Sequence, residues 1–280
     1  MPYKSIDTTI LGFDIGGTKT GIVLGDLSAQ ILRRSELPTP TEVGFEAALS
    51  EMLAAAEALL GEAQANGLPA PQAVSVSIGG PLDIERGLIL GPPHLPTWRQ
   101  APLKERLMEH FQLPVLVEHD GNAGALAEYY FGAGLGIHSM VYLTLGTGLG
   151  AGLILDGQLY RGASDTAGEV GHIRIAETGP LTYGKAGSWE GYCSATGLEN
   201  LAHLRDPAAY PTGTKAQEII SSALKGDPKA VKLVEEMGDW LGRGLAVLVD
   251  ILNPELIVLG TLGVLLGDLL IEPARRAMAE

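Results

Sequence analysis

Two stretches of this chain share one pattern, and that pattern closes off most of the folds open to 280 residues. ILGFDIGGTKTGIVLGD (10–26) and VYLTLGTGLGAGLILDG (141–157) each run from apolar residues into a Gly/Thr turn and back into apolar residues. Such runs predict strands buried in a sheet, and their recurrence predicts two related halves. Glycine numbers 38, about twice its usual share, and it gathers at strand ends. It lets a ligand approach the backbone closely, and consecutive N–H groups form an anion-binding concavity. One such turn alone is commonly no more than a tight hairpin. Two of them, with Asp14 closing a strand beside the first, predict a phosphate site. A buried Asp14 needs a partner, which Mg²⁺ or its waters would supply, while Lys19 stands near the phosphates. The candidate nucleotide contacts are therefore Asp14, Gly16, Gly17, Thr18 and Lys19 in the first turn, and Gly146, Thr147 and Gly148 in the second.

Further strand-like runs lie at 73–79, 114–119 and 256–259, and helical periodicity at 45–63, 121–131, 215–225 and 229–252, so the class is α/β. GPPHLPTW (91–98) and ETGPLTYGKAGSWEG (177–191) read as long loops of the kind that carry binding groups. A net charge of −14 argues against nucleic-acid or anionic-membrane partners. With no long apolar segment, and a single cysteine that excludes an intrachain disulfide, the expected location is cytoplasmic. Cys193 reads as a small buried residue. The P-loop pattern G-x-x-x-x-G-K-[ST] is absent, and both glycine turns lead into strands where a Rossmann turn would open a helix, which disfavours a nicotinamide enzyme.

LGTGLGAGLILDGQLYRGASDTAGEVGH (145–172) resembles the signature of the ROK family of sugar kinases and sugar-responsive repressors at every glycine and at its final Gly-His. DIGGTKT (14–20) is similar to the first phosphate motif of the actin-like ATPase superfamily, and 244–263 resembles its adenosine segment. The resemblance spans about residues 10–275. It implies a two-domain actin-like ATPase (ribonuclease H-like) fold with ATP and sugar meeting in a cleft between the domains, and a homodimer. Residues 1–118 would form the first domain and 119–280 the second, with Gly260 and Thr261 bordering the adenosine.

In VLVEHDGNAGALAEYY (115–130) a strand ends at Asp120 and turns into a helix. On the residues alone Asp120 serves equally as a helix N-cap or as the base that accepts a hydroxyl proton. The resemblance assigns it the base. It likewise implies sugar contacts for Gly80, His119, Asp120, Glu169, His172 and Glu190; without it, His172 reads as structural and Glu190 as a solvated loop charge. His119 replaces the asparagine that the family normally has before the catalytic Asp, which leaves substrate choice open. The family's zinc loop is altered too: Leu181, Tyr183 and Ser188 occupy the cysteine positions of C-x-C-G-x-x-G-C-x-E, while Glu190 is retained. A structural zinc needs four N or S ligands, so a zinc-free loop packed by Tyr183 and Trp189 is expected.

The expected activity is transfer of the ATP γ-phosphoryl group, with Mg²⁺, to a hexose hydroxyl. Glucose is the first choice, with N-acetylmannosamine or fructose as alternatives. A sugar-sensing repressor would need a helix-turn-helix ahead of residue 10, where only about ten residues lie. An actin-like structural protein would have no use for Glu169, His172 and Glu190 together. The chain is also expected to stop before the last element usual in the family.

Overall fold

The computed structural model describes residues 8–182 and 184–280. Tyr183, expected to pack the loop, lies outside the described residues. The chain divides into two compact units, Met1–Ala123 and Gly124–Glu280. This division falls after the opening of the helix at Asp120 rather than between 118 and 119, so Asp120 belongs to the first unit.

The first unit begins with three antiparallel strands, β1 (Thr9–Ile15), β2 (Lys19–Asp26) and β3 (Ile31–Pro38). After helix α1 (Phe45–Ala65), β4 (Pro71–Ile78) joins β1 in parallel. A small sheet follows, of β5 (Leu82–Asp83), β6 (Leu88–Leu90) and β7 (Arg99–Ala101). Helix α2 (Leu103–Phe111) then leads to β8 (Val115–His119), which pairs in parallel with β4 and runs directly into helix α3 (Asp120–Phe131). The main sheet has the order β3-β2-β1-β4-β8. Its core is built by Leu11, Phe13 and Ile15 of β1, Ile22 and Leu24 of β2, and the buried stripe Leu49, Met52, Ala56 and Leu59 of α1. Those helix positions recur every three or four residues, which is why α1 is legible as one apolar face.

The second unit repeats the plan. Strands β9 (Met140–Leu145) and β10 (Leu149–Leu155) form an antiparallel pair, and a short β11 (Gln158–Leu159) adds to β10. The hairpin β12 (Leu181–Thr182) and β13 (Lys185–Ala186) precedes helices α4 (Trp189–Cys193), α5 (Ala195–Arg205), α6 (Ala216–Leu224) and α7 (Pro228–Leu252). Strand β14 (Leu256–Leu259) then pairs in parallel with β9, followed by α8 (Leu262–Leu266) and α9 (Asp268–Met278). The sheet order is β11-β10-β9-β14. In both units a Gly/Thr hairpin forms, as the paired sequence pattern predicts, and each is flanked, on the side of its first strand, by a later parallel strand. Helix α7 starts with Pro228 after the Asp227 cap and stops at Asn253, whose left-handed backbone (φ 45°) precedes Pro254. No described helix is long and apolar enough to cross a membrane.

Several elements depart from expectation. β3 was not anticipated because ILRRSELP is a polar edge strand paired only to β2. α2 and α9 are short, and α9 carries an internal Pro273. The 177–191 stretch is not one long loop: it holds the β12–β13 hairpin and the first turn of α4. The expected burial of Asp14 is also corrected. Strand alternation puts Leu11, Phe13 and Ile15 inside and turns Asp14 outward, where it is exposed.

Candidate active site

In the first unit the β1–β2 ladder closes at Ile15 and Thr20, leaving the Gly17 and Thr18 amides in a turn outside it. The turn is pinned from the end of β3. The Thr39 hydroxyl donates to the Gly16 carbonyl (2.7 Å) and lies 2.9 Å from the Thr20 hydroxyl, while the Thr39 N–H donates to the Thr18 carbonyl. Asp14 accepts a hydrogen bond from the Ser77 hydroxyl of β4 at 3.1 Å. Lys19 reaches across to Glu36 on β3 (3.0 Å) rather than standing over the turn, and its bond holds the Glu36 carboxyl below the usual range.

The abrupt passage from β8 into α3 sets Asp120 at the strand end. Its Oδ1 lies 3.1 Å from His119 Nδ1 and accepts the Gly121 N–H at 2.7 Å. That amide is its immediate neighbour rather than one a full turn ahead, so the contact differs from an N-cap bond. Desolvation pushes the Asp120 carboxyl up, but the hydrogen bond and charge of His119, the Gly121 N–H and the charge of His94 outweigh it, and the group stays below the usual carboxylate range. Gly80 packs against the His119 ring: a side-chain carbon at residue 80 would lie 3.0 Å from its Nε2. Behind this cluster, Glu118 Oε1 accepts the His119 N–H and the Asn122 side-chain amide. The first unit thus brings Gly80, His119 and Asp120 together, and adds a residue that sequence reasoning passed over, His94. Nothing in GPPHLPTW singles out its histidine by spacing; only a fold that carries the loop to the end of β4 makes it visible.

The second unit gathers the other candidates. The Gly146 N–H donates to the Gly148 carbonyl, tightening the β9–β10 turn. The N–H groups of Ala195 and Thr196 donate to the carbonyls of Gly146 and Thr147 and tie that turn to α5. The Leu149 N–H, just past the turn, donates to Glu190 Oε2 at 2.9 Å. Glu190 lies in the first turn of α4, which is capped by the Ser188 hydroxyl accepting from the Gly191 N–H. Glu169 caps the short 3-10 turn Val170–His172, His172 ends it, and the two side chains approach each other to 3.6 Å. Burial raises the Glu190 carboxyl; the Leu149 N–H and the charge of His172 counter this, and Glu169 adds to it. Two carboxylates and an imidazole sharing one locale is a donor–acceptor set suited to ringed hydroxyls. At the end of β14, the Gly260 N–H donates to Leu143 and Thr261 takes a left-handed backbone (φ 45°) before α8.

At the altered zinc loop, Ser188 Oγ lies 2.5 Å from the Thr182 hydroxyl, and the Tyr192 hydroxyl donates to the Thr178 carbonyl. Trp189 and Cys193 are fully buried, while Leu181 is exposed. Among the described residues no group of three or more His, Cys, Asp or Glu side chains is arranged to hold a metal ion. Purified protein is expected to carry no stoichiometric zinc by elemental analysis, and EDTA is expected to leave its melting temperature unchanged; one zinc per chain would overturn this reading.

The chain as a whole is similar to known proteins. The glucokinase of Streptomyces coelicolor is 36% identical, the alignment covering 95% of this chain and 86% of that protein. The crystal structure of a ROK family glucokinase from Streptomyces griseus in complex with glucose and AMPPNP is 34% identical and matches with a TM-score of 0.83, covering 96% of this chain and 88% of that one. A ROK family transcriptional regulator, a homologue of the E. coli MLC protein, superposes with a TM-score of 0.84 at 26% identity, covering 97% of this chain and 69% of the regulator. The family model for ROK proteins matches residues 10–280, taking in both glycine turns, Asp120 and the Glu169–His172–Glu190 group, and on that span the chain belongs to the ROK family.

Proposed function

We propose that this protein is an ATP-dependent glucose kinase, moving the γ-phosphoryl group to the exocyclic hydroxyl to give glucose 6-phosphate. The observation that carries the reading is Asp120, a carboxylate kept ionised by His119 at the end of a parallel strand, in a chain one-third identical to a glucokinase bound to glucose and AMPPNP. Asp120 accepts the proton as the sugar oxygen attacks phosphorus; the new P–O bond forms while the bond to the departing ADP breaks. In the second unit Glu169, His172 and Glu190 bind and orient sugar hydroxyls; in the first, Gly80 and His119 stand beside the base and contribute sugar contacts of their own. The amides of the β1–β2 and β9–β10 turns face phosphate oxygens, and Gly260 and Thr261 border the adenosine. An exposed carboxylate beside a hydroxyl fits a hydrated Mg²⁺, so Asp14 and Ser77 would hold it through water. The ion would offset phosphate charge when bound.

The regulator of similar fold supports a second reading, sugar binding without turnover. Coupled ADP release over a panel of glucose, N-acetylmannosamine and fructose separates the two: glucose-dependent ADP supports the kinase, whereas sugar binding without ADP release supports the regulator. A cytoplasmic homodimer completes the proposal, resting on the family resemblance; light scattering reads the mass.

A further inference from the structure

We propose that Thr39 is a positioning residue for the nucleotide, clamping the β1–β2 turn so that its amides face the ATP phosphates; this rests on the kinase reading. Thr39 stands in LPTPT (37–41), one residue past the end of β3 at Pro38. Pro38 and Pro40 carry no N–H, so Thr39 is the sole backbone donor of 38–40. A residue that precedes proline is also confined to extended backbone. The local sequence thus sets the backbone of this threonine before anything packs on it. Thr39 is buried, and Thr20 opposite it is wholly so.

Three contacts reach the turn from this one residue. The Thr39 N–H donates to the Thr18 carbonyl at 3.1 Å, the Thr39 hydroxyl donates to the Gly16 carbonyl at 2.7 Å, and that hydroxyl lies 2.9 Å from the Thr20 hydroxyl. A hydroxyl has one hydrogen and a carbonyl only accepts, so the Thr39 hydrogen is committed to Gly16. Thr20 must then donate to Thr39, and the chain of bonds runs in one direction, from Thr20 through Thr39 to Gly16. Its effect on the turn follows from peptide geometry. The 16–17 peptide is trans, so its N–H, on Gly17, points opposite to the Gly16 carbonyl. Holding that carbonyl towards Thr39 turns the Gly17 N–H the other way, outside the β1–β2 ladder. The 18–19 peptide is set in the same manner through the Thr18 carbonyl, while the Gly16 N–H is spent on the Lys19 carbonyl at 3.0 Å. One residue therefore fixes two peptide planes of the turn. An amide already aimed does not have to be ordered when the phosphate arrives.

The test uses the full chain. Binding of AMPPNP with Mg²⁺, and of glucose, is measured by calorimetry for the wild type, Thr39→Val, Thr39→Ser and Thr20→Val, and KM for ATP and for glucose by coupled ADP release. Thr39→Val keeps the shape and the N–H but leaves the Gly16 carbonyl and the buried Thr20 hydroxyl without that partner. It is expected to weaken AMPPNP binding and raise KM for ATP about tenfold, with glucose affinity within about twofold of wild type. Thr39→Ser retains the hydroxyl and is expected to stay within about threefold of wild type for both ligands. Thr20→Val removes only the first donor of the chain, leaves the bond from Thr39 to Gly16, and is expected to match the serine variant. An unchanged AMPPNP affinity in Thr39→Val would overturn the proposal, as would an equal loss for glucose, a failure of serine to rescue, or a Thr20→Val variant as weak as Thr39→Val. A wild type that binds AMPPNP yet releases no ADP with glucose would count against the kinase reading, and the AMPPNP titrations would still decide the role of Thr39. A wild type that binds no AMPPNP would overturn both.

Discussion

Asp120→Asn is expected to fold normally and to lose about 10³-fold in kcat, the loss typical of removing a positioned general base. Asparagine keeps an oxygen for the Gly121 N–H, so the α3 start survives. What disappears is the ionised oxygen beside His119 that, in the proposed mechanism, accepts the sugar proton. The measurement is single-turnover phosphorylation of glucose, with the melting temperature as control; turnover within tenfold of wild type would remove Asp120 from the role. The sign of its pH effect on stability follows from its lowered value. The carboxylate stabilises the folded state above its unfolded pKa, and this contribution is lost as pH falls through the folded value.

The second large effect belongs to Glu190→Gln. The amide oxygen still accepts the Leu149 N–H, but the charged acceptor proposed for a sugar hydroxyl is gone. Losing a charge-assisted hydrogen bond costs about 2–3 kcal/mol, roughly 30- to 150-fold in kcat/KM for glucose, with the ATP dependence little changed. Steady-state kinetics with each substrate varied in turn would check this; an equal loss for ATP would reassign Glu190 to the β9–β10 turn alone. Because burial raises this carboxyl, the folded state holds its proton to higher pH than the unfolded chain. Wild-type stability therefore declines as pH rises from the ordinary glutamate range through the folded value. Glu190→Gln lacks that decline, which denaturant melts at several pH values would reveal.

Much of this was legible beforehand where a local pattern dictates local structure. The two Gly/Thr hairpins, the α1 stripe and the end of α7 at Asn253-Pro254 each follow from periodicity or backbone chemistry within a few residues. Asp120, Glu169, His172 and Glu190 stood out only through their place in family motifs. β3 escaped because an edge strand paired on one side needs no apolar alternation, and ILRRSELP has none. The burial of Asp14 was misread because apolar neighbours in sequence lie on the opposite face of a pleated strand.

By itself, then, the sequence determined the α/β class, the paired glycine hairpins and the residues able to do chemistry, since these depend on side-chain type and short-range spacing. Only the tertiary structure decided that Lys19 pairs with Glu36, that Leu149 holds Glu190, and that a histidine from a proline-rich loop wedges between Gly17 and Gly79. Such partners come from segments distant in the chain. Packing of the buried cores brings them together, and no spacing along the sequence encodes which ones will meet.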